Sequence, residues 1–392
     1  MIAKMPKHWK IKKLGDVLEI FPTASYSRSE LSDEGEVQYI HYGDIHTKFD
    51  SLLEITDDTL PKISKSKGEK YETIQLGDLV MVDASEDYQG VGKSTEIIAL
   101  SRYNTIAGLH TFLLRDKGEY FYLGYKGYIT MSDYVKKQLY IAATGTKVYS
   151  LSKESLKLIQ LPIPPLKEQE RITKILLTCD KAIRLTTQII TQLKQRNQGL
   201  AQQLLTGEKR IKGFENSVWK EVKLGEIGEV YQPETISQNL LTEEGFKVYG
   251  ANGVIGYYSR YNHEKEQIAV VCRGSTCGLV NFTEAKSWIT GNAMVINLDG
   301  NPNYSKLFVY EYLKNDNLNY LITGSGQPQI TSEIKNHIIK VPSFKEQNAI
   351  AQILDTVHQE LKLYEQKLQL LQTQKKTLMQ KLLTGEILTI KK

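Results

Sequence analysis

One segment of the sequence is similar to a phosphate-binding loop. Gly90-Val91-Gly92-Lys93-Ser94-Thr95 follows a strand-like run and has the glycine, lysine and hydroxyl residues with which such a loop holds nucleotide phosphates. The pattern also requires a glycine at position 87, where Asp87 would place a carboxylate facing those phosphates. No long helix follows whose N-terminus could bind them. We therefore interpret the segment as a surface turn, or as a loop whose lysine contacts a nucleic-acid phosphate.

Two further patterns match catalytic or metal-binding motifs only in part. Asn301-Pro302-Asn303-Tyr304 is similar to the Asn-Pro-Pro-Tyr motif of amino-methyltransferases, but no glycine-rich loop for S-adenosylmethionine precedes it. A type I turn over residues 299–302 is the simpler interpretation. Cys272 and Cys277 lack the spacing of a zinc site, although His263 is near them in sequence. The sequence therefore predicts no catalytic residue, no metal site and no cofactor.

The composition is that of a globular protein. Its 392 residues are 41% hydrophobic and 24% charged, which excludes collagen-like and wholly disordered proteins. No apolar run approaches the roughly 20 residues of a membrane span. Residues 1–7 lack the apolar core of a secretory signal, and three cysteines cannot form a disulfide framework. We expect a cytoplasmic protein with no membrane partner.

Two positively charged segments repeat each other. The net charge of +5 is too small to identify a nucleic-acid-binding protein, but residues 167–214 carry +6 and residues 345–392 carry +3. Residues 167–208 align with 345–386 at an offset of 178, and 17 of the 42 paired positions are identical. A weaker match relates the start of the chain, around Trp9, to the residues around Trp219 at an offset of 210. The chain therefore consists of unit, helix, unit and helix, with similar ends and divergent middles.

The repeated segments are predicted to be long helices. Each has apolar residues at the a and d positions of about five heptads, and about 40 residues would span roughly 60 Å. The simplest partner for each helix is the other one, although an amphipathic helix packed on its own domain is the alternative. Polar or small residues within the stripes would set the register: Thr186, Asn197 and Lys375. Ser343 and Glu346 are spaced as a capping box, and Gly207 and Gly385 fit positions just past a helix end.

The intervening regions are predicted to be compact α/β units. Short strands are expected at residues 37–40, 78–82, 111–114, 267–271 and 293–296, with glycine-containing turns between them. Residues 120–141 and 304–321 are more helical and aromatic. The resulting domains are 1–160, a helix at 161–207, a second unit at 208–341, and a helix with a tail at 342–392.

The ends of the two copies resemble those of a known family, the specificity subunits of type I restriction-modification enzymes. Proline-rich entries lead into both helices, at Pro162-Ile163-Pro164-Pro165-Leu166-x-Glu168-Gln169 and Val341-Pro342-x-Phe344-x-Glu346-Gln347. Leu-Leu-Thr-Gly closes both helices, at residues 204–207 and 382–385. Both units open with a tryptophan followed by Lys-Leu-Gly and an acidic residue, ending at Asp16 and Glu226. The resemblance covers nearly the whole chain.

The resemblance implies the fold and the role. It implies an α+β protein with two globular α/β target recognition domains, separated by two long helices that pair as an antiparallel coiled coil in an internal pseudo-twofold repeat. Each domain would read one half of an asymmetric bipartite site in double-stranded DNA through the major groove. The chain would not be an enzyme. Its other partners would be two modification subunits, which methylate adenine, and restriction subunits, which are ATP-dependent translocases and endonucleases.

Residues that read bases must lie on loops or strand ends of the divergent middles. The first unit offers Tyr88, Lys93, Lys147 and Tyr149. The second unit offers Asn252, Tyr258, Arg260, Arg273, Ser275 and Gln327. Arginine can bind guanine in bidentate fashion, and asparagine or glutamine can bind adenine. For Arg273 the alternative is a structural salt bridge to Glu264 or Glu266.

Two other functions stay open on sequence alone. A P-loop-like NTPase with a coiled-coil arm would bind nucleotide, and Asp87 argues against it. A coiled-coil adaptor without a DNA role would leave two divergent globular units unexplained.

Overall fold

The computed structural model describes residues 5–324 and 326–389. The chain divides into two compact units, Met1–Leu185 with Leu368–Lys392, and Thr186–Lys367. Each unit includes one part of each long helix. The division made from sequence instead treats the helices as separate segments.

The first unit contains twelve strands among the described residues. They are β1 (Lys10–Lys13), β2 (Leu18–Phe21), β3 (Val37–Ile40), β4 (Leu52–Glu54), β5 (Lys62–Ile63), β6 (Leu79–Val82), β7 (Ala84–Ser85), β8 (Ser94–Ala99), β9 (Asn104–Ala107), β10 (Thr111–Asp116), β11 (Tyr149–Ser150) and β12 (Gln160–Ile163). Its helices before the long one are α1 (Leu14–Val17), α2 (Tyr42–Thr47), α3 (Lys65–Gly68), α4 (Tyr125–Ile129), α5 (Asp133–Ala142) and α6 (Lys153–Lys157). The first long helix is α7 (Leu166–Leu205).

The second unit has fewer strands. They are β13 (Lys220–Lys223), β14 (Glu229–Tyr231), β15 (Phe246–Gly250), β16 (Gly253–Tyr258), β17 (Ile268–Val271), β18 (Val280–Phe282), β19 (Trp288–Ile289), β20 (Ala293–Asn297) and β21 (Ile338–Val341). Its helices are α8 (Leu224–Ile227), α9 (Lys306–Asn315) and the second long helix, α10 (Phe344–Leu383). The strands predicted from sequence are present, and the bounds of the two 40-residue helices differ by the predicted offset of 178.

Four strands of the central sheet have equivalent positions in the two units, and the first unit has β4 as a fifth strand. The first unit has the order β2-β10-β6-β8-β4, and the second has β14-β20-β17-β18. Strand β6 is buried on both faces, because Leu79 and Met81 pack in one hydrophobic cluster and Val80 and Val82 in another. This accounts for its continuous apolar sequence.

A buried ion pair joins helix α4 to strand β8 of the central sheet in the first unit. The Lys126 ammonium is 3.0 Å from the Glu96 carboxylate, and both side chains are almost fully buried. The same carboxylate accepts hydrogen bonds from the backbone N–H groups of Gly124 and Gly127, at 2.9 and 2.8 Å. The ion pair and the two hydrogen bonds thus compensate the burial of two charges.

The repeated Glu-Gln motif ties each long helix to its unit. The side-chain oxygen of Gln169 accepts a hydrogen bond from the backbone of Tyr122, and its nitrogen donates to the carbonyl of Pro164. Gln347 makes the equivalent bonds with the backbone of Ser305 and Pro342. Both glutamines are buried, so these bonds satisfy side chains that would otherwise be costly to desolvate.

The two helices run antiparallel within each unit. In the second unit Lys194 pairs with Glu365 and Arg196 with Glu360, so the partner number falls as the number along α7 rises. The buried Asn197 donates its amide to the carbonyl oxygen of Val357 at 2.9 Å, and it is one of the three predicted register-setting residues. In the first unit another of them, Lys375, forms an ion pair with Asp180.

The predicted helix ends are largely confirmed. Gly207 and Gly385 adopt left-handed backbone angles, with φ of +76° and +71°, just past the ends of α7 and α10. The capping box is only half formed: the Ser343 hydroxyl accepts from the Glu346 N–H at 3.4 Å. The Glu346 carboxylate instead binds the side chains of Arg210 and Ser217. The box was predicted from local spacing, and this distant arginine is a stronger partner.

The turn predicted over residues 299–302 is displaced by one residue. Asn301 N–H bonds to the carbonyl of Leu298, and Tyr304 N–H bonds to that of Asn301. A bond closing at Pro302 is impossible because proline has no N–H.

Candidate nucleic-acid interface

The central strands of the two units end in loops with the same hydrogen bonds. Strand β6 ends at Val82, which accepts from the N–H of Gly92 at 3.1 Å. Strand β17 ends at Val271, which accepts from the N–H of Gly278 at 2.9 Å. Both glycines have positive φ, +73° and +94°. We call residues 83–92 the first loop and residues 272–278 the second loop.

A hairpin packs beside each loop. In the first unit the backbones of Thr144 and Ser150 exchange two hydrogen bonds of 2.9 and 2.8 Å. In the second unit Thr323 and Gln329 exchange bonds of 2.8 and 2.9 Å. Strand β11 of the first hairpin pairs with β7 of the first loop, and Gln329 forms a bridge with Arg273 of the second loop. The two units therefore present equivalent loop and hairpin pairs.

The bonds that hold each loop down are also equivalent. Asp83 N–H bonds to the carbonyl of His110, and Asp83 carbonyl accepts from Leu151. Cys272 occupies the same place in the second unit, where its N–H bonds to Asn292. Because all of these bonds are made by the backbone, they are independent of side-chain identity. One framework can therefore carry two different sets of exposed side chains.

The structure brings Tyr88 and Tyr149 together on the first unit. Their rings meet edge to face, with centroids 4.9 Å apart, and the Tyr88 hydroxyl donates to the carbonyl of Tyr140 at 2.6 Å. Tyr88 is 43% exposed despite these contacts. Lys147 lies exposed in the adjacent hairpin. The two tyrosines thus hold the loop against the hairpin while one of them stays accessible.

Lys93 lines a cavity of about 1070 Å³ formed by the first loop and helix α2. Its ammonium donates to the carbonyl oxygen of His46 at 2.9 Å, and burial lowers the pKa of its side chain. The side chains of His46 and His110 also line this cavity, and burial lowers the pKa of His46. Sequence reasoning missed both histidines. No spacing signal could have found them, because the fold brings them to Lys93 from distant elements.

Four of the residues predicted for the second unit lie in the second loop or in the turn and hairpin beside it. Arg273 and Ser275 are exposed in the second loop, directly after β17. Asn252 lies in the turn between β15 and β16, which the loop contacts through a hydrogen bond from Thr276 to the carbonyl of Ala251 at 2.8 Å. Gln327 is exposed in the hairpin, beside the bond from Gly274 N–H to the carbonyl of Pro328.

In the described part of the chain, Arg273 does not form the structural salt bridge that was the alternative to DNA binding. Glu264 lies 3.9 Å from Lys286 instead, and Arg273 makes no ion pair within residues 5–324 and 326–389. Its guanidinium is therefore available to a ligand.

Tyr258 and Arg260 lie apart from this group. Strand β16 begins at the turn that holds Asn252 and ends at Tyr258, paired with Phe246 at the far end of β15. The ring of Tyr258 packs edge to face on Trp288, with centroids 5.2 Å apart. Arg260 is exposed just beyond.

The sequence patterns that resemble other sites have structural explanations. The segment similar to a P-loop leads into strand β8 at Ser94 rather than into a helix, so it is the turn of a hairpin between β6 and β8. Cys272 is buried, and burial raises the pKa of its thiol. The described residues contain no cluster of His, Cys, Asp and Glu that could hold a metal ion. Across the same ranges, none of the helices is long and apolar enough to cross a membrane.

The family model of the type I restriction modification DNA specificity domain matches residues 6–195 and 216–373. The chain belongs to this family. The two matches each cover one globular region and much of the long helix that follows it. The internal repeat read from the sequence therefore corresponds to two specificity domains in one chain.

Proteins similar to this member of the specificity-domain family are themselves specificity subunits. A protein of Methanocaldococcus jannaschii assigned as the specificity subunit of the type I restriction enzyme MjaX is 26% identical, over 98% of this chain and 95% of its own length. The EcoKI specificity subunit of Escherichia coli is 21% identical, over 89% of this chain and 82% of its own.

Solved structures support the fold. The S subunit of the type I restriction-modification system from M. genitalium superposes with a TM-score of 0.63 at 17% identity, covering 97% of this chain and 96% of its own. The HsdS subunit of Thermoanaerobacter tengcongensis gives a TM-score of 0.51 at 17% identity, with 98% of each chain covered.

Proposed function

We propose that this chain is the sequence-specific DNA-recognition subunit of a type I restriction-modification complex. The observation that carries the proposal is the pair of equivalent loop and hairpin frameworks that present different exposed side chains. A common framework suits docking to two stretches of one regular duplex, and different side chains suit different bases. Each unit then reads one half of an asymmetric bipartite site.

The residues predicted from the sequence are the proposed DNA contacts. In the first unit these are Tyr88, Lys93, Lys147 and Tyr149. In the second unit they are Asn252, Tyr258, Arg260, Arg273, Ser275 and Gln327. The group around Arg273 is the best supported, because four of its members share one exposed surface after strand β17. An arginine after a strand end, with amides on the neighbouring turn and hairpin, offers the donors and acceptors needed to read base edges in the major groove.

The long helices are the proposed spacer and docking elements. Each has 40 residues, and the antiparallel pairing in each unit includes the buried Asn197 in one and the Lys375 ion pair in the other. We propose that their length sets the number of base pairs between the half-sites. Two modification subunits, which methylate adenine, dock on them, and restriction subunits complete the complex in the cytoplasm.

The chain itself performs no chemistry in this proposal. It recognises the DNA sequence, and its partners flip and methylate the adenine, translocate DNA and cut it. The hairpin argues against a nucleotide-dependent function. A P-loop binds phosphates at a helix N-terminus, whereas Ser94 begins strand β8.

Co-purification with a modification subunit, followed by mapping of methylated adenines, tests the proposal. The complex is expected to methylate one asymmetric sequence with two specific parts and a fixed gap. Methylation without sequence preference, or at one uninterrupted motif, would contradict it. Methyl transfer by the pure chain alone would also contradict it.

A further inference from the structure

The two equivalent loops carry opposite charge. The first loop contains three carboxylates, Asp83, Glu86 and Asp87, whereas the second loop contains Arg273 and no acidic residue. The neighbouring hairpins differ as well, since the first has Val148 at the place where the second has Gln327, four residues after the equivalent threonines. The first loop therefore offers carboxylate acceptors where the second loop offers a guanidinium donor.

Of the three carboxylates, two are occupied within the protein. Asp83 lies 3.4 Å from the ring of His110, and burial raises the pKa of its carboxyl group. One oxygen of Asp87 accepts the backbone N–H of Gly90 at 2.5 Å and closes the turn of the loop. Both side chains thus have a structural task.

Glu86 has no such task. It is exposed and lines the cavity together with Tyr88 and Val148. Within residues 5–324 and 326–389 no group donates a hydrogen bond to its carboxylate or forms an ion pair with it. The nearest basic residue along the chain, Lys93, lies just past the loop and donates to the carbonyl of His46. The negative charge of Glu86 is therefore uncompensated at the surface of the loop.

An uncompensated carboxylate is unfavourable beside DNA unless it meets a donor. Phosphates dominate the field of the duplex, so an acidic side chain lowers affinity for every sequence alike. In the major groove the donors are the exocyclic amino groups, N4 of cytosine and N6 of adenine. A carboxylate that reaches one of them gains a hydrogen bond and rejects the bases that present only acceptors.

We propose that Glu86 is a specificity-determining residue of the first unit, which accepts a hydrogen bond from the exocyclic amino group of cytosine or adenine. Arg273, in the equivalent second loop, presents a guanidinium that suits guanine. The two half-sites then differ in a defined way. The first loop contacts cytosine or adenine, which present an amino group in the major groove, and the second loop contacts guanine. This inference rests on the proposed DNA-recognition function.

The test compares base preferences of the complex with its modification subunits. Binding is measured on a set of duplexes that carries all four bases at each position, for the wild type, Glu86→Gln, Glu86→Asp and the control Glu34→Gln. Glu34 is an exposed acidic residue of the same unit that lies outside the loop. Melting temperatures establish that each variant is folded.

Glu86→Gln is expected to lose preference for the amino-bearing base at one position of one half-site, by about 5- to 150-fold, with the other half unchanged. It should also bind all sequences somewhat more tightly, as should the control, because both lose a negative charge. Glu86→Asp retains the charge but is shorter, so it should lose the preference without the gain in general affinity. The base preferred by the wild type distinguishes cytosine from adenine.

Two results would overturn parts of this account separately. If Glu86→Gln and Glu34→Gln both raise affinity and leave the preference profile unchanged, Glu86 acts only through its charge and the inference is wrong. If the wild-type complex itself shows no base preference, the proposed function fails instead.

Discussion

The backbone of Arg273, two residues past the end of strand β17, forms an antiparallel bridge with that of Gln329. The bridge fixes the start of the second loop against its hairpin, and the arginine side chain remains exposed. A fixed backbone with a free guanidinium is the arrangement expected of a residue that reads DNA.

Arg273→Ala is expected to weaken binding by about 1–3 kcal/mol and to relax preference at one base pair. A phosphate contact would instead weaken all sequences alike and lower the salt slope by about one. A structural role would lower the melting temperature without changing the preference profile. Binding across all four bases at each position separates these roles, with Lys314→Ala as an exposed basic control in the same unit.

Asn197→Ala is expected to lower the stability of the helix pair. The variant loses the hydrogen bond to Val357 and leaves a small void at a position that is 4% exposed, at a cost of about 1–3 kcal/mol. Gln195→Ala, at an exposed position of the same helix, should leave the melting temperature nearly unchanged. Equal melting temperatures for the two variants would show that the hydrogen bond contributes nothing.

Lys126→Met is expected to destabilise the first unit by about 3–5 kcal/mol, because it leaves the buried Glu96 without its counter-charge. The double variant Lys126→Met/Glu96→Gln should recover part of the loss. Lys174→Met breaks the exposed pair with Glu170 and should cost at most about 1 kcal/mol. Thermal melting of the three variants compares these losses of stability. A loss in Lys174→Met as large as that in Lys126→Met would contradict the prediction.

Acidification is expected to destabilise the second unit through His263. Burial lowers the pKa of this histidine below its ordinary value of 6.5, and its ring lies within hydrogen-bond distance of Tyr231 and Asn262. Below about pH 6.5 the unfolded chain binds a proton that the folded chain does not, so the free energy of unfolding falls as pH falls. Melting at pH 7.5 and 5.5 should show this loss, and His263→Gln should make the dependence shallower. If the pH dependence of the melting temperature is unchanged in that variant, His263 is not the source of the acid destabilisation.

Much of the fold could be predicted because its signals are local or repeated. The heptad positions and the terminal glycines predicted helices with the observed offset, and the apolar run predicted a strand at 78–82. The structure has that strand at Leu79–Val82, and its burial on both faces was not predicted. The packing of Gln169 could not be read from the sequence. Its repeated motif marked a helix entry, but its backbone partners come from elsewhere in the fold.

The candidate site was less accessible to sequence reasoning. The residues around Arg273 were found because a strand end followed by glycine indicates a loop. The equivalence of the two loops was hidden, since it resides in backbone bonds at Val82 and Val271 that leave side chains free to diverge. Glu86 was missed for the same reason, because its significance depends on the comparison with the second loop.

The central claim is that each unit reads one half-site, and exchange of one unit tests it most directly. Residues 221–340 are replaced by the equivalent region of another family member, and the methylated sequence is mapped in the complex with modification subunits. The account predicts that one half of the sequence changes, while the other half and the gap between them are retained. A change in both halves, or in neither, would contradict it.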